Sequence, residues 1–505
     1  MREGEKVKFP GMKRMWRIFT KEELEVIDNA AYNILREMGV HIDDKECIEY
    51  LKDAPVEIDE KELIVKFPEY WVRDMIAKAP RSYTLAGRDP KKDLHITSPQ
   101  RDFYALITSG STKFYEWDEN TNKWISKIPG EADVIKAFKM VDGLDTYEGF
   151  FGTLVEDVKK TQQGLPAELH TLYNKMKWST KYGGPTAITE GGLTEWDYVG
   201  KLAAEVQGGF DELAKRPIIA GLPSCIGPLT STRQNFWAAV GSAKYHLSTF
   251  PYWGGIAPFT APATALAQVT LAVACCHYAM AVSQYLDPGT ATCPWPMCTS
   301  TDPMTGQLAG IPSSRYVHAM GMQLYQDLYN LVVSQCSYCL TTSLDEAAAA
   351  WLSSVLANTL LGGNIVQFGT TPQAFMWETI PIGATLLDLI RGSLFAMNEF
   401  ISRFDDEHLA LDVIKEVGPK GMFTTHPHTL KWIDPAKGLY WRAKDWIHEH
   451  SDQWLAKGAK SWVYDTCRQR LKELEKHEPD PAIQKDVDER CKALLKKADE
   501  ELALF

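Results

Sequence analysis

The chain has little of what would mark a nucleic-acid or zinc-finger protein. No long Lys/Arg run occurs, and 66 acids outnumber 54 lysines and arginines, giving a net charge of -12. Such a surface repels phosphate backbones and excludes a nucleic-acid footprint. Histidine is scarce at 12 residues, and neither a His-Glu-x-x-His helix nor a paired CxxC is present, so no zinc signature stands in the chain. There is no GxGxxG turn, which argues against an open dinucleotide-binding sheet. The opening stretch MREGEKVKFPGMKRMW lacks the apolar run of a secretory signal. The longest apolar stretch, Ala261 to Leu286, is broken by Gln268, His277 and Gln284. It reads as a buried helix, not a membrane span. A soluble, cytoplasmic protein with no membrane partner is expected.

Ten cysteines in a chain without an export signal are expected reduced and buried as small hydrophobes. The lone CxxC, Cys336-Ser337-Tyr338-Cys339, continues the β-rich run LVVSQCSYCL instead of opening a helix, so a metal or redox role is not expected. The pair His426 and His428 in GMFTTHPHTLKW would share one side only in extended backbone. It would still need ligands from elsewhere. The metal assignment is none.

What the chain does have is alternation. Thr20 and Glu23 form a capping box ahead of ELEVIDNAAYNILREM, and Gly39 stops that helix. Pro68 opens a second helix in its favoured first-turn position. Residues 102–126 alternate around a turn at Asp118–Asn122 and read as a hairpin. From residue 131 onward, helices at 131–142, 165–181, 193–206, 231–247, 261–286, 313–328 and 344–361 each lead into a short apolar strand. A last helix covers 383–400. This spacing predicts an α/β fold, a TIM (β/α)8 barrel over 101–440. A mostly helical N-terminal extension (1–100) precedes it, and a charged C-terminal helical arm (441–505) follows. The eighth strand is sought in 103–116, and the arm is a candidate homo-oligomer element.

In such a barrel chemistry sits where strands end. Those ends are Phe151, Tyr252-Trp253-Gly254-Gly255, Cys293-Pro294-Trp295, Tyr338 and Phe368-Gly369. Singly, each aromatic reads as barrel filling. Together, aromatic faces with few acids suit a substrate cation.

Several segments resemble the trimethylamine methyltransferase family of corrinoid-dependent enzymes, which includes glycine betaine and other quaternary amine demethylases. The carriers are IFTKEELEVIDNAAYNILREMGVHI, APRSYTLAGRDPKKDLHI, GIAPFTAPATALAQ with SQYLDPGTATCPWP, TSTDPMTGQLAGIP, LANTLLGGNIV and LALDVIKEVGPKGMFTTHPHTLKW. The resemblance implies a TIM barrel and a methyl group passed to the Co(I) corrinoid of a separate corrinoid protein. It thus implies no tightly bound cofactor, the cobalamin being supplied by that partner. Trimethylamine-using members carry pyrrolysine at a place that threads to Ser337, give or take two residues, and here only ordinary residues stand there. The usual Ser-Asp pair is missing, and Cys275 stands where many members have Glu.

The resemblance therefore implies a non-pyrrolysine methyltransferase acting on a quaternary amine such as glycine betaine. Ser337 and Tyr338 are the candidates at the reacting place. Tyr252, Trp253, Trp295 and Phe368 are the candidate ammonium cage. Arg315 and His318 are candidate carboxylate partners, and Asp302 lies on a strand-end loop, a functional position in this fold. Trp377 and Glu378 are candidates for a lid. The rival readings are a zinc-dependent methanol or methylthiol enzyme and a silent, small-cation-binding relative. His426 and His428 then become part of a loop near the barrel mouth or a docking surface.

Overall fold

The computed structural model describes residues 12–99, 102–186, 192–302, 304, 306, 308–309, 312–337, 344–369, 375–401, 404–433, 450–459 and 466–503. Eight stretches of chain form a ring. They are β1 (Tyr104–Thr108), β2 (Gly149–Phe150), β3 (Pro185–Thr186), β4 (Ala220–Gly221), β5 (Ser248–Thr249), β6 (Cys298–Thr301), β7 (Ser334–Ser337) and β8 (Ile365–Gly369). β1 pairs with β2, β3 with β4, β4 with β5, β7 with β8, and β8 with β1, all parallel. Gly149 bridges to Tyr182 ahead of β3, Thr249 and Tyr252 bridge to Thr292 and Trp295 ahead of β6, and β6 itself pairs in parallel with Gly255–Ala257, further along the fifth stretch. Between the sixth and seventh stretches, Ser334 N donates to Pro294 O at 3.0 Å. The ring closes on itself, so its own strands leave no free edge. The sought strand is β1. It separates from the expected hairpin, whose true arms are Phe114–Asp118 and Lys123–Lys127 around the Asp118–Asn122 turn.

Each strand is followed by a helix: α1 (Glu131–Asp142), α2 (Ala167–Trp178), α3 (Gly192–Gln207), α4 (Arg233–Lys244), α5 (Ala265–Leu286), α6 (Pro312–Tyr329), α7 (Leu344–Leu360) and α8 (Thr379–Ile401). Local chemistry sets several starts. Gly130 precedes α1 and donates its N–H to Asp133, and Thr232 caps α4 through the Asn235 N–H. Among the described residues two helices, at Ala265–Leu286 and Thr379–Asn398, are long and apolar enough to cross a bilayer by composition, and both are mostly buried helices of this ring. α5 is apolar all round because it lies between the barrel and the N-terminal extension. A buried pair joins α8 to the sheet: Arg391 grips both oxygens of Glu148, which also accepts from Ala105 N at 2.7 Å.

The N-terminal extension is less helical than expected. Besides the helices Lys21–Glu37, Lys45–Glu49 and Glu69–Lys78, it holds strands Val40–Ile42, Glu57–Asp59 and Ile64–Lys66. Pro68 caps the third of these helices from just outside it. A further hairpin, Ser82–Leu85 with Leu94–Thr97, sends Leu85, Leu94 and Ile96 into the cluster that fills the barrel interior. Ala86 N donates to Pro217 O, ahead of β4, so this plug seals the N-terminal end of the barrel. The C-terminal ends of the strands lie at the opposite end.

The C-terminal helices Cys467–Leu474 and Lys485–Leu502 lie against the helix ring. His477 Nε2 meets Asp142 at 2.9 Å, Lys177 reaches Asp488 at 2.7 Å, and His170 Nε2 meets Asp499 at 2.7 Å. The segment 404–433 is mostly exposed. There His426 is the N-cap of the helix Pro427–Trp432, its Nδ1 accepting from His428 N at 3.1 Å. Pro427 opens a helix, so the two histidines flank a helix start instead of lying along extended backbone.

Candidate active site at the barrel mouth

Because successive residues of a strand face opposite sides, each strand of the ring divides its side chains between the interior and the helix layer. β5 continues past Pro251 into Tyr252–Trp253. Tyr252 goes inward and Trp253 outward. Tyr252 stacks on Trp295, with ring centres 4.7 Å apart and planes 24° apart. Phe151 sets its edge against Trp295 at 4.9 Å and against Phe250 at 5.3 Å. These rings, with Met297 and Cys336, form the upper part of the interior cluster. Tyr252 is half-buried, and burial pushes its hydroxyl up to about 12. It stays protonated at neutral pH. A stacked Tyr–Trp pair offers a cation one electron-rich wall.

The other two expected cage residues lie elsewhere, and the alternation is the reason. Trp253 is fully buried in the helix-layer core, and its Nε1 donates to Gly227 O at 2.9 Å. Phe368 packs outward between Trp351 of α7 at 4.9 Å and Tyr147 at 6.3 Å. Neither ring reaches the mouth. His318, buried on α6, spends Nε2 near Cys298 O at 3.2 Å and so braces β6 from outside. Asp302 follows β6 and turns its own loop, accepting from Met304 N at 2.7 Å, while its carbonyl accepts from Gly306 N. Ser337 is the last residue of β7 and pairs in register with Phe368. Tyr338 lies outside the described residues, as does the side chain of Arg315 on α6.

Beside the aromatic pair stands a polar pair that the sequence reading passed over. Ser334 faces inward next to Trp295, and Gln367 of β8 donates from Nε2 to Ser334 Oγ at 2.8 Å. The signal in the sequence is slight, a single amide inside the apolar strand Ile365-Val366-Gln367-Phe368. Over the mouth hangs a three-stranded flap in which Phe375–Met376 pairs with Phe114 and Tyr115. Trp377 packs under it against Phe114 and Phe375. Glu378 is buried, and burial raises its carboxyl against the opposing pull of Arg468.

Lys175 of α2 is another buried group near this end. Its ammonium donates to Gly152 O at 3.1 Å, just past β2. Burial pushes its pKa down to about 7. Among the described residues no group of three or more His, Cys, Asp or Glu is placed to hold a metal ion. The arrangement can hold a cation against aromatic faces and fix a neighbouring polar group on the inner side of the strands.

The sequence profile of the family described as Trimethylamine methyltransferase (MTTB) matches residues 4–503. The trimethylamine methyltransferase MttB of Desulfitobacterium hafniense is 23% identical over 479 residues, covering 92% of this chain and 91% of that protein. The glycine betaine methyltransferase of Desulfitobacterium hafniense strain Y51 is 24% identical over 423 residues, covering 82% and 84%. Among solved structures, the monomethylamine methyltransferase of Methanosarcina barkeri aligns over 93% of this chain and 90% of its own, with a TM-score of 0.45 and 10% identity.

Proposed function

The chain belongs to the trimethylamine methyltransferase family, and on that premise we propose that it moves a methyl group from a quaternary amine to the Co(I) corrinoid of a separate corrinoid protein. It is a methyltransferase, and its substrate chemistry decides how much help the reaction needs. A tertiary amine would have to leave as an amide anion unless it were first activated. A quaternary ammonium leaves as a neutral amine: the C–N electron pair stays on nitrogen, and the methyl carbon is taken by Co(I), which becomes methyl-Co(III). No proton has to move. The protein's task is to hold the methyl in line with the incoming cobalt and to exclude water.

The observation that carries this reading is the Tyr252–Trp295 stack inside the barrel, since such aromatic faces suit trimethylammonium groups without a buried carboxylate. Ordinary residues stand at 336–339, which supports a quaternary over a tertiary amine. We place the enzyme in the cytoplasm, where a reduced corrinoid protein would meet it. The test is to mix the protein with a Co(I) corrinoid protein and, in turn, tetramethylammonium, choline, glycine betaine and trimethylamine. Methyl-Co(III) absorbance is expected with a quaternary amine and not with trimethylamine. Silence with every quaternary amine would remove the proposal.

A further inference from the structure

Among the described residues, Gln367 Oε1 and Trp295 Nε1 are buried polar atoms without a hydrogen-bond partner, and both belong to the wall that carries the aromatic stack. Gln367 is fully buried and uses Nε2 on Ser334 Oγ, while its Oε1 accepts nothing. Trp295 is 4% exposed, and its indole N–H is likewise unpartnered. The backbone makes them members of one patch. Tyr252 bridges to Trp295, Ser334 N donates to Pro294 O beside Trp295, and Ser334 accepts from Gln367. Four neighbouring stretches of the ring thus contribute a continuous strip of Tyr252, Trp295, Ser334 and Gln367.

A buried acceptor and a buried donor left open are each destabilising when nothing fills them. Their place beside an ammonium-binding wall points to a ligand that fills them. Resting on the quaternary-amine reading above, we infer that this strip is a subsite for the substrate's tail, and that the tail is a hydroxyl. A hydroxyl is one group that answers both vacancies, donating to Gln367 Oε1 and accepting from Trp295 Nε1–H. A carboxylate answers only the indole and sets its oxygens against the amide oxygen. The substrate class is therefore a quaternary alkanolammonium, for which choline is the probe, in preference to a betaine. Gln367 is the specificity-determining residue.

Calorimetric titration of the purified full-length chain decides this without any corrinoid protein, so it stands apart from the methyl-transfer test. The wild type is expected to bind choline at least ten-fold tighter than tetramethylammonium, which has the head without the tail, and tighter than glycine betaine. Gln367→Met keeps the volume and removes the acceptor. Trp295→Phe keeps an aromatic face and removes the N–H. Each should weaken choline at least five-fold more than it weakens tetramethylammonium. The inference is overturned if the wild type prefers glycine betaine or the tail-less ion, or if both variants weaken all three ligands alike. If one variant is unfolded by circular dichroism, the other and the wild-type preference order still decide. Methyl transfer that fails while this binding pattern holds would sink the reaction and leave the subsite standing.

Discussion

At the scale of single residues, Tyr252 and Lys175 make separable claims. Tyr252 is the half-buried member of the aromatic wall, so shortening it removes a ring face with limited damage to the core. Tyr252→Ala is expected to raise the KM for a quaternary amine about ten-fold or more, in line with the loss of a desolvated cation–π contact, while Tyr252→Phe keeps most of the affinity. Equal loss in both would assign the effect to the hydroxyl instead. Lys175 makes a claim about pH. Its folded pKa, about 7 through burial, lies below the ordinary value of 10.5. Between those two values the unfolded chain carries a proton that the folded one lacks, so this group's contribution to stability rises with pH across that window. Below pH 7 the folded protein bears the whole cost of a buried charge. Lys175→Met should therefore gain stability over the wild type at pH 6.5, on the order of 1–3 kcal/mol, and the gain should shrink towards pH 10. Urea titrations at the two pH values measure it, and a gain independent of pH would refute the assignment.

At the scale of elements, the strands explain which part of the site could be read in advance. The helices were legible because each runs over ten or more residues, and α1 matches its expected span of 131–142. Their regular alternation with short apolar segments predicted the closed ring. The facing of the strand residues was not legible. Parallel barrel strands are buried on both sides and read as continuous apolar runs, so nothing in Tyr252-Trp253 says which ring points inward. In Ile365-Val366-Gln367-Phe368 the one polar residue was the clue, because an amide in an apolar strand wants a partner inside. The prolines at 251 and 294 interrupt the backbone pairing and shorten the strands, which hides the phase further. The corrected facing has a consequence for mutants. Trp253→Ala and Phe368→Ala should each cost about 3–5 kcal/mol of stability by emptying the helix layer. At a temperature where the variants stay folded, KM should change less than two-fold. Denaturant melts paired with initial rates test this, and a large KM increase in a fully folded Trp253→Ala protein would return that ring to the mouth.

At the scale of the whole molecule, both terminal regions are tied to the outside of the barrel by carboxylates, and the two ties differ in burial. In the N-terminal helix Lys21–Glu37, Asp28 is buried and meets His277 Nε2 of α5 at 2.9 Å. It also accepts from the Tyr329 hydroxyl of α6 at 2.6 Å, and the other ring nitrogen of His277 meets the Tyr325 hydroxyl at 3.0 Å. Burial pushes the Asp28 carboxyl up, but the bonds and charge of His277, the Tyr329 bond and the charge of Arg73 together hold it below the ordinary value. It therefore stays ionised. Asp499 in the C-terminal helix meets His170 at a partly exposed site, where solvent screens the pair. Removing one partner of a buried, hydrogen-bonded charge strands the rest, whereas a wet pair contributes little. Asp28→Ala should lower the unfolding free energy by about 3–5 kcal/mol, and Asp499→Ala by less than about 1 kcal/mol. Because the Asp28 carboxyl is depressed in the folded state, its stabilisation is present above the unfolded value near 3.8 and is lost as the pH falls through the folded one. The wild type should accordingly lose its advantage over Asp28→Ala only in strong acid. Denaturant unfolding of the three proteins at pH 7, and of the first pair down to pH 3, measures both parts. Equal costs for the two substitutions would mean that the N-terminal extension is held by its apolar face alone, with Leu24, Ile27, Ala31 and Leu35 sufficient without the polar cluster beneath them.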